Sequence, residues 1–224
     1  MELTDIQQEF YDSLSDGSFK QKMYDAFIRN NTRRAEMGDE AFEQMMKDRK
    51  KKDATEHAQQ QAVERNMRLI EKSGLKDLIE EKTFENFIVE TDWQKRMYDK
   101  CQGFIDQDKF KFLYIGGQSG CGKTHLGVAT SSHFLRKGIQ TIYTTFDAML
   151  DNLRARVNDD DYDDVMYDYS YPPVLYIDDW MKFEPTKADI KHSFKLINLR
   201  TVQNKITIIT SERSLDEIIL IDEA

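Results

Sequence analysis

Leu113-Tyr114-Ile115-Gly116-Gly117-Gln118-Ser119-Gly120-Cys121-Gly122-Lys123-Thr124 decides the fold, because an apolar run breaks into glycines and closes on Gly-Lys-Thr. From Gly117 to Thr124 it matches the phosphate-binding pattern G-x-x-x-x-G-K-[ST]. Glycines let the backbone wrap a polyphosphate closely, with successive N–H groups turned inward as an anion nest. Lys123 is placed to reach the β- and γ-phosphates, and Thr124 to offer its hydroxyl to Mg2+. The flanks agree with this reading. Residues 110–115 read as a buried strand, and residues 125–136 as a helix whose N-terminus faces the phosphates. Gly138 reads as the C′ residue of that helix. The expected nucleotide-binding set is Gly117, Gln118, Ser119, Gly120, Cys121, Gly122, Lys123, Thr124 and His125.

Some fifty residues further on, Pro172-Pro173 opens Val174-Leu175-Tyr176-Ile177-Asp178-Asp179. A continuous apolar run suits a central parallel strand, and the two carboxylates fall at its C-terminal end, where open α/β sheets bind ligands. After a phosphate loop, this is a Walker B candidate. Asp178 is expected to hold Mg2+, often through water, and Asp179 to orient or deprotonate the attacking water.

The segment between the two motifs carries a β-branched strand at residues 140–144, then a helix marked by Ala148, Leu150 and Leu153. Residues 158–164 are dense in aspartate, with tyrosines following through Tyr171; the run reads as a solvated insert or as carboxylates for metal ions. Thr186 to Leu199 reads as an amphipathic helix with Ile190, Phe194 and Ile197 inward, and residues 206–212 as another buried strand ending in polar residues. Ser214 is a cap for a following helix through Ile218.

Ahead of the loop the chain reads as helical. Leu3, Ile6 and Phe10 share one face, and Phe19, Met23 and Phe27 another, with Asp16-Gly17 as the turn between them. Gly38-Asp39 breaks the chain again, and Asp39 is a candidate N-cap for a helix bearing Phe42, Met45 and Met46. These stripes fit either the core of a small helical domain or a methionine-rich partner surface. Residues 47–53 are a charge run, read as a solvated helix or linker, or as a phosphate-contacting patch. A polar helix with Val63, Met67 and Ile70 on one stripe continues to Ser73-Gly74. Thr83-Phe84-Glu85-Asn86-Phe87 offers aromatics for an adenine pocket or for packing at the rim of the next domain. Residues 92–106 read as a helix with Trp93, Met97 and Cys101 at four-residue spacing.

Composition bounds the function. The 224 residues suit one large domain or a main domain with a smaller companion. With 33% charged and 39% hydrophobic residues the chain reads as soluble, and no apolar run approaches the roughly 20 residues that span a bilayer. The start, Met1-Glu2-Leu3-Thr4-Asp5, is acidic and lacks an apolar signal segment. Only Cys101 and Cys121 are present, too few for a disulfide framework or a usual zinc site, so a cytoplasmic location is expected. The net charge of −9 supplies no global field for nucleic acid, so any such contact needs a local patch or an assembly.

Strands near Phe112, Thr141, Leu175 and Ile208 with helices between them describe an α/β fold, a parallel P-loop sheet flanked by helices, with a small helical N-terminal domain. A polar strand end after Walker B is the sensor I position of AAA+ ATPases. From Arg65 to Ala224 the chain resembles the DnaC/DnaI-type replicative-helicase loaders of bacteria and phages. The residues that carry the likeness are Arg68-Leu69-Ile70-Glu71-Lys72-Ser73-Gly74, Thr83 to Phe87, the phosphate loop, Asp178-Asp179, and Thr210-Ser211-Glu212-Arg213-Ser214-Leu215-Asp216-Glu217.

The resemblance implies ATP and Mg2+ as cofactors, held by the phosphate loop, Thr124 and Asp178. It implies hydrolysis to ADP and phosphate with Lys123, Asp179 and Glu212 as catalytic residues, Glu212 in the sensor I position. It also implies a replicative helicase and single-stranded DNA as partners, self-association through the AAA+ core, and no membrane. The corresponding division is a helicase-binding module at 1–64, a linker and adenine-pocket rim at 65–90, and the ATPase core at 91–224.

The chain departs from the family pattern at four places. It lacks the cysteines of a zinc-binding N-terminal domain; Trp180 follows Asp179 where Leu-Gly is common; and Glu212 stands where many relatives have Asn. The chain also reaches Ile221-Asp222-Glu223-Ala224 without the Gly-Ser-Arg segment that supplies an arginine finger, leaving Arg200 and Arg213 as the arginines near the expected site. The same departure is expected to leave the phosphate-loop strand near an open sheet edge. Two rival readings remain: a transposition-helper AAA+ ATPase, and a nucleotide-switched adaptor that hydrolyses little. A small-molecule kinase is disfavoured by the want of an arginine-rich lid.

Overall fold

The computed structural model describes residues 17–107, 109–156 and 162–222, and within them the chain divides into two compact units, residues 1–61 and 62–224. The expected Leu3–Ile6–Phe10 stripe, Asp16 and most of the aspartate run lie outside the described residues.

In the first unit, α1 (Gly17–Met37) ends at Gly38, whose φ of +85° turns the chain, and α2 begins there and runs over Asp39–Ser73, past the unit boundary. Phe42 N–H donates to the Gly38 carbonyl, so Asp39 stands in the first helical turn instead of capping it. The charge run at 47–53 is solvent-exposed helix, laced by the Arg49–Asp53 and Lys52–Glu56 pairs one turn apart. No described residue between 17 and 61 is buried: Phe27, Phe42, Met45 and Met46 are half-covered and Met23 is exposed. The described helices therefore leave their apolar stripe largely uncovered.

The second unit is a four-stranded, wholly parallel sheet in the order β1-β4-β3-β2, made of β1 (Phe112–Gly116), β2 (Thr141–Thr145), β3 (Val174–Asp178) and β4 (Ile206–Ser211). In this sheet β1 lies at an edge, as expected. Strand periodicity divides the core into two layers. Val174 and Tyr176 of β3 and Ile208 of β4 face one side, against Val128 and Leu135 of α4 (Lys123–Arg136), Phe104 of α3 (Asp92–Asp106), and Leu75 and Ile79. Leu175, Ile177 and Ile209 face the other side, against α5 (Phe146–Arg154), α6 (Tyr162–Ser170) and α7 (Lys187–Val202). A last helix, α8 (Leu215–Asp222), is capped reciprocally by Ser214 and Glu217.

Three details differ from the sequence expectation. Phe110 lies outside β1 and is exposed. Tyr167 and Tyr169, after the aspartate run, belong to α6, which buries Val165, Met166 and Tyr169 and ends just before Tyr171. In α7 the buried stripe is Asp189, Ser193, Leu196 and Arg200; Ile197 is half-buried against the same core, as expected, while Ile190 and Phe194 are half-exposed. The face turned because its polar members are satisfied. Asp189 closes a capping box with Thr186 and takes two bonds from Arg154, at 2.9 and 2.6 Å. Arg200, fully buried, donates to the carbonyls of Tyr169, Ser170, Pro172 and Ile206 and to Thr207 Oγ1. Burial without a carboxylate partner lowers its pKa to about 10.

Candidate nucleotide-binding site

The loop after β1 is tied to the neighbouring strand by Gly117 N–H, which donates to Ser211 O at 3.1 Å. Gly122 then opens α4 with φ +96°, and a Cβ there would stand 2.6 Å from the Phe87 ring, so the position needs both a left-handed backbone and the absence of a side chain. Phe87 lies edge-on to His125 and stacked near Tyr98, and Phe84 meets Tyr98 edge-on. His125 Nε2 donates to Thr83 O at 2.7 Å. The 83–87 segment is thereby bound to the first turn of α4, and its two aromatics pack with Met97, Tyr98, Cys101, Ile115 and Leu126.

The loop borders a cavity of about 330 Å3 lined by Ser119, Gly120, Gly122, Lys123, Thr124 and His125 together with Lys82, Asp179, Lys182 and Glu212. Gly117, Gln118 and Cys121 form the back of the loop: Gln118 O receives Lys123 Nζ at 2.8 Å, and Cys121 N–H donates to Gln118 O. Lys123 is almost wholly buried.

Asp178 is the hub of the site. Sheet order puts β4 between the phosphate-loop strand and β3, so the end of β4 reaches both carboxylates. Thr210 Oγ1 donates to Asp178 Oδ1 and receives Asp179 N–H at 3.2 Å. Thr124 Oγ1 donates to Asp178 Oδ1 at 3.1 Å and Tyr176 Oη to the same oxygen at 2.9 Å, while Tyr143 Oη approaches Oδ2 at 3.5 Å. Burial, then the neighbouring Asp178 charge, holds Tyr176 well above the ordinary phenol range and pushes Tyr143 up to about 12. Both phenols stay protonated and act as donors. The Tyr176 ring fills the space beside Gly127 of α4, where a Cβ would stand 2.4 Å from its hydroxyl.

Asp179 has φ +56° and Met181 φ +52°, and this reversal buries Trp180 against Phe146 at a ring distance of 4.8 Å. Asp179 is left facing the cavity, with Oδ2 2.8 Å from Lys182 Nζ. Arg213 braces the turn through Met181 O and Glu184, both at 2.8 Å. Arg200 lies elsewhere: its partners Pro172, Ile206 and Thr207 stand at the N-terminal ends of β3 and β4, opposite the phosphate loop.

The donor set fits Mg2+ brought in with a nucleotide. No group of three His, Cys, Asp or Glu that could cage an ion exists among the described residues, but a hydroxyl and a carboxylate converge beside the phosphate loop. Mg2+ prefers such sparse protein ligation completed by phosphate oxygens and water. The sequence had indicated Lys123, Thr124, Asp178, Asp179 and Glu212. It had not indicated Thr210, Tyr143, Tyr176, Lys82 or Lys182. Tyr176 shares a strand face with Asp178 two residues on, and that period-2 relation was the available signal.

A parallel β1-β4-β3-β2 sheet with a phosphate loop after β1 and paired carboxylates ending β3 makes a P-loop fold of the AAA+ type. The chain belongs to the IstB-like ATP-binding protein family, which matches residues 21–221. The Bacillus subtilis protein YqaM, uncharacterized, is 30% identical over 171 residues, covering 70% of this chain and 54% of YqaM, so the match spans about half of that relative.

Among solved structures, the DnaC helicase loader superposes with a TM-score of 0.56 at 24% identity, over 63% of this chain and 84% of that one. AMPPCP-bound DnaA from Aquifex aeolicus gives 0.56 at 22% identity, over 61% and 44%. At these identities the likeness is one of fold. Among the described residues no helix is long and apolar enough to cross a membrane.

Proposed function

We propose that the chain is an ATP-driven loader of a replicative DNA helicase onto single-stranded DNA. The observation that carries this reading is the union, in one chain, of the phosphate cavity facing Asp178 and Asp179 with a helical unit in which no described residue is buried. A cavity of that composition suits a Mg-nucleotide, and a half-covered stripe of Phe and Met suits a protein partner. The DnaC-like fold and the sequence motifs support the same assignment. The helical unit grips the helicase, the nucleotide orders loaders side by side through their AAA+ cores, and the assembly forms the DNA surface that a net charge of −9 does not supply to the single chain.

In the site, Lys123 leaves the Gln118 carbonyl for the β- and γ-phosphates. Thr124 and Asp178 would hold Mg2+, which neutralises and aligns the phosphates when bound. Tyr176, Tyr143 and Thr210 fix the Asp178 carboxylate by donating to it. Asp179, facing the cavity, orients or deprotonates the attacking water, and Glu212, which lines the cavity just beyond the end of β4, takes the sensor I role.

The test is capture of the host's purified replicative helicase by the full chain, with ATP turnover measured with and without it. Capture together with altered turnover supports the loader. Capture without turnover supports a nucleotide-switched adaptor. The IstB-like family match supports a second reading, a transposition helper, and that reading gains if the helicase is not captured while the cognate transposase is.

A further inference from the structure

Lys182 sits three residues beyond Asp179 and lines the same cavity as Lys123 and Thr124. Its backbone is well anchored. Asp179 N–H and Trp180 N–H bond to Thr210, Arg213 Nε to Met181 O, and Lys182 N–H to Asp179 O. Two left-handed residues, Asp179 and Met181, fix the direction in which the chain leaves β3. The side chain is held less firmly. Its ammonium rests on Asp179 Oδ2 at 2.8 Å, with the two side chains 37% and 35% exposed. An i,i+3 pair this exposed contributes little stability and exchanges partners readily. The partner is the carboxylate that faces the attacking water in the reading above. As the protein stands, then, the candidate base is neutralised by the lysine beside it.

We propose that Lys182 is the residue that tells a nucleoside triphosphate from a diphosphate, by exchanging Asp179 for an oxygen of the γ-phosphate. The inference rests on the nucleotide-site reading and adds to it a second γ-phosphate contact, beside that of Lys123, from a residue outside the phosphate loop. A γ-phosphate would bring added negative charge into the cavity that Lys182 lines. There it competes for an ammonium whose present bond is screened by solvent, and it offers a charge-assisted bond inside a walled cleft. The groups facing Lys182 are Asp179, Asp178 and Glu212. They hold its ammonium protonated, with the hydrogen bond it donates to Asp179 the largest influence. When Lys182 moves to the phosphate, Asp179 loses its counter-ion and is left as a free carboxylate beside the water it is to activate. With a diphosphate no γ-phosphate competes with Asp179 for the lysine. No covalent bond changes in this step, which exchanges one ion pair for another.

The test is equilibrium binding of ADP and of a non-hydrolysable ATP analogue to the parent, Lys182→Ala, Lys182→Arg and Asp179→Asn, each with Mg2+ and with EDTA. Lys182→Ala should weaken the triphosphate about tenfold and change ADP by less than about twofold, and Lys182→Arg should recover most of the preference. Asp179→Asn, which releases the lysine, should raise the preference for the triphosphate. Equal effects of Lys182→Ala on both nucleotides, or on neither, would overturn the assignment while leaving the site intact. A parent that binds neither nucleotide overturns the site reading and this inference with it.

Discussion

Gly127→Ala tests whether a buried tyrosine sets the geometry of Asp178, the carboxylate proposed to hold Mg2+. In the interior of α4 the exchange should stabilise the chain by up to about 1 kcal/mol on helix propensity alone. The added Cβ, however, would stand 2.4 Å from Tyr176 Oη, 2.5 Å from Cζ and 2.9 Å from Cε2, where ordinary contacts begin near 3.5 Å. The ring cannot swing clear: it is fully buried and lies 5.2 Å from the Tyr143 ring. Overpacking of this kind costs about 1–3 kcal/mol. Displacing the phenol also removes its 2.9 Å bond to Asp178, a charge-assisted contact worth about 1.5–3 kcal/mol. The net expectation is a loss of about 2–4 kcal/mol, or roughly 5–15 °C in the melting temperature of a domain this size. Circular dichroism melts should show that fall, and nucleotide titrations should show a higher Mg2+ requirement than the parent. A Gly127→Ala protein that melts at or above the parent, with unchanged Mg2+ dependence, would refute the wedge between α4 and β3.

Asp179→Asn should keep Mg-nucleotide binding and slow turnover about a hundredfold or more, since the amide cannot accept the proton of water; loss of binding instead would show that the two aspartates have exchanged roles. Native protein at pH 8 should be alkylated at Cys121 and slowly or not at all at Cys101, which is buried with its pKa pushed up to about 11; equal labelling of both thiols would contradict the packing around α3. Arg200→Met should cost about 3–5 kcal/mol by stripping donors from buried carbonyls, yet leave the nucleotide affinity of the folded fraction unchanged. Selective loss of turnover with an unchanged melt would restore Arg200 as a candidate for the site.

The motifs were legible because their chemistry is local. A run of glycines before Gly-Lys-Thr has few other uses, and four apolar residues leading into Asp-Asp become a readable central strand through their place some fifty residues after that loop. What periodicity could not show was set by partners distant in the chain. The face of α7 was misjudged because Asp189 and Arg200 read as surface residues, and only Arg154 and four carbonyls brought in by the fold make their burial tolerable. α6 was hidden by the aspartates ahead of it, although Val165, Met166 and Tyr169 carry one helical stripe. In the site, Lys123, Thr124 and Asp178 followed from pattern. Thr210 reaches Asp178 because β4 inserts between β1 and β3, a consequence of strand order that no spacing along the chain discloses. Lys82 likewise arrives at the cavity from a segment with no motif of its own.

The most direct test of the account is titration of a fluorescent ATP analogue, with Mg2+, against the parent and Lys123→Ala. Lys123 is buried, and its ammonium bonds to the loop's own Gln118 carbonyl, so the alanine should leave the melt close to that of the parent. Loss of its charge-assisted bonds to the phosphates should weaken binding about a hundredfold or more. Equal binding by the two proteins, both folded, would contradict the claim that the 117–124 loop is where this chain holds its nucleotide.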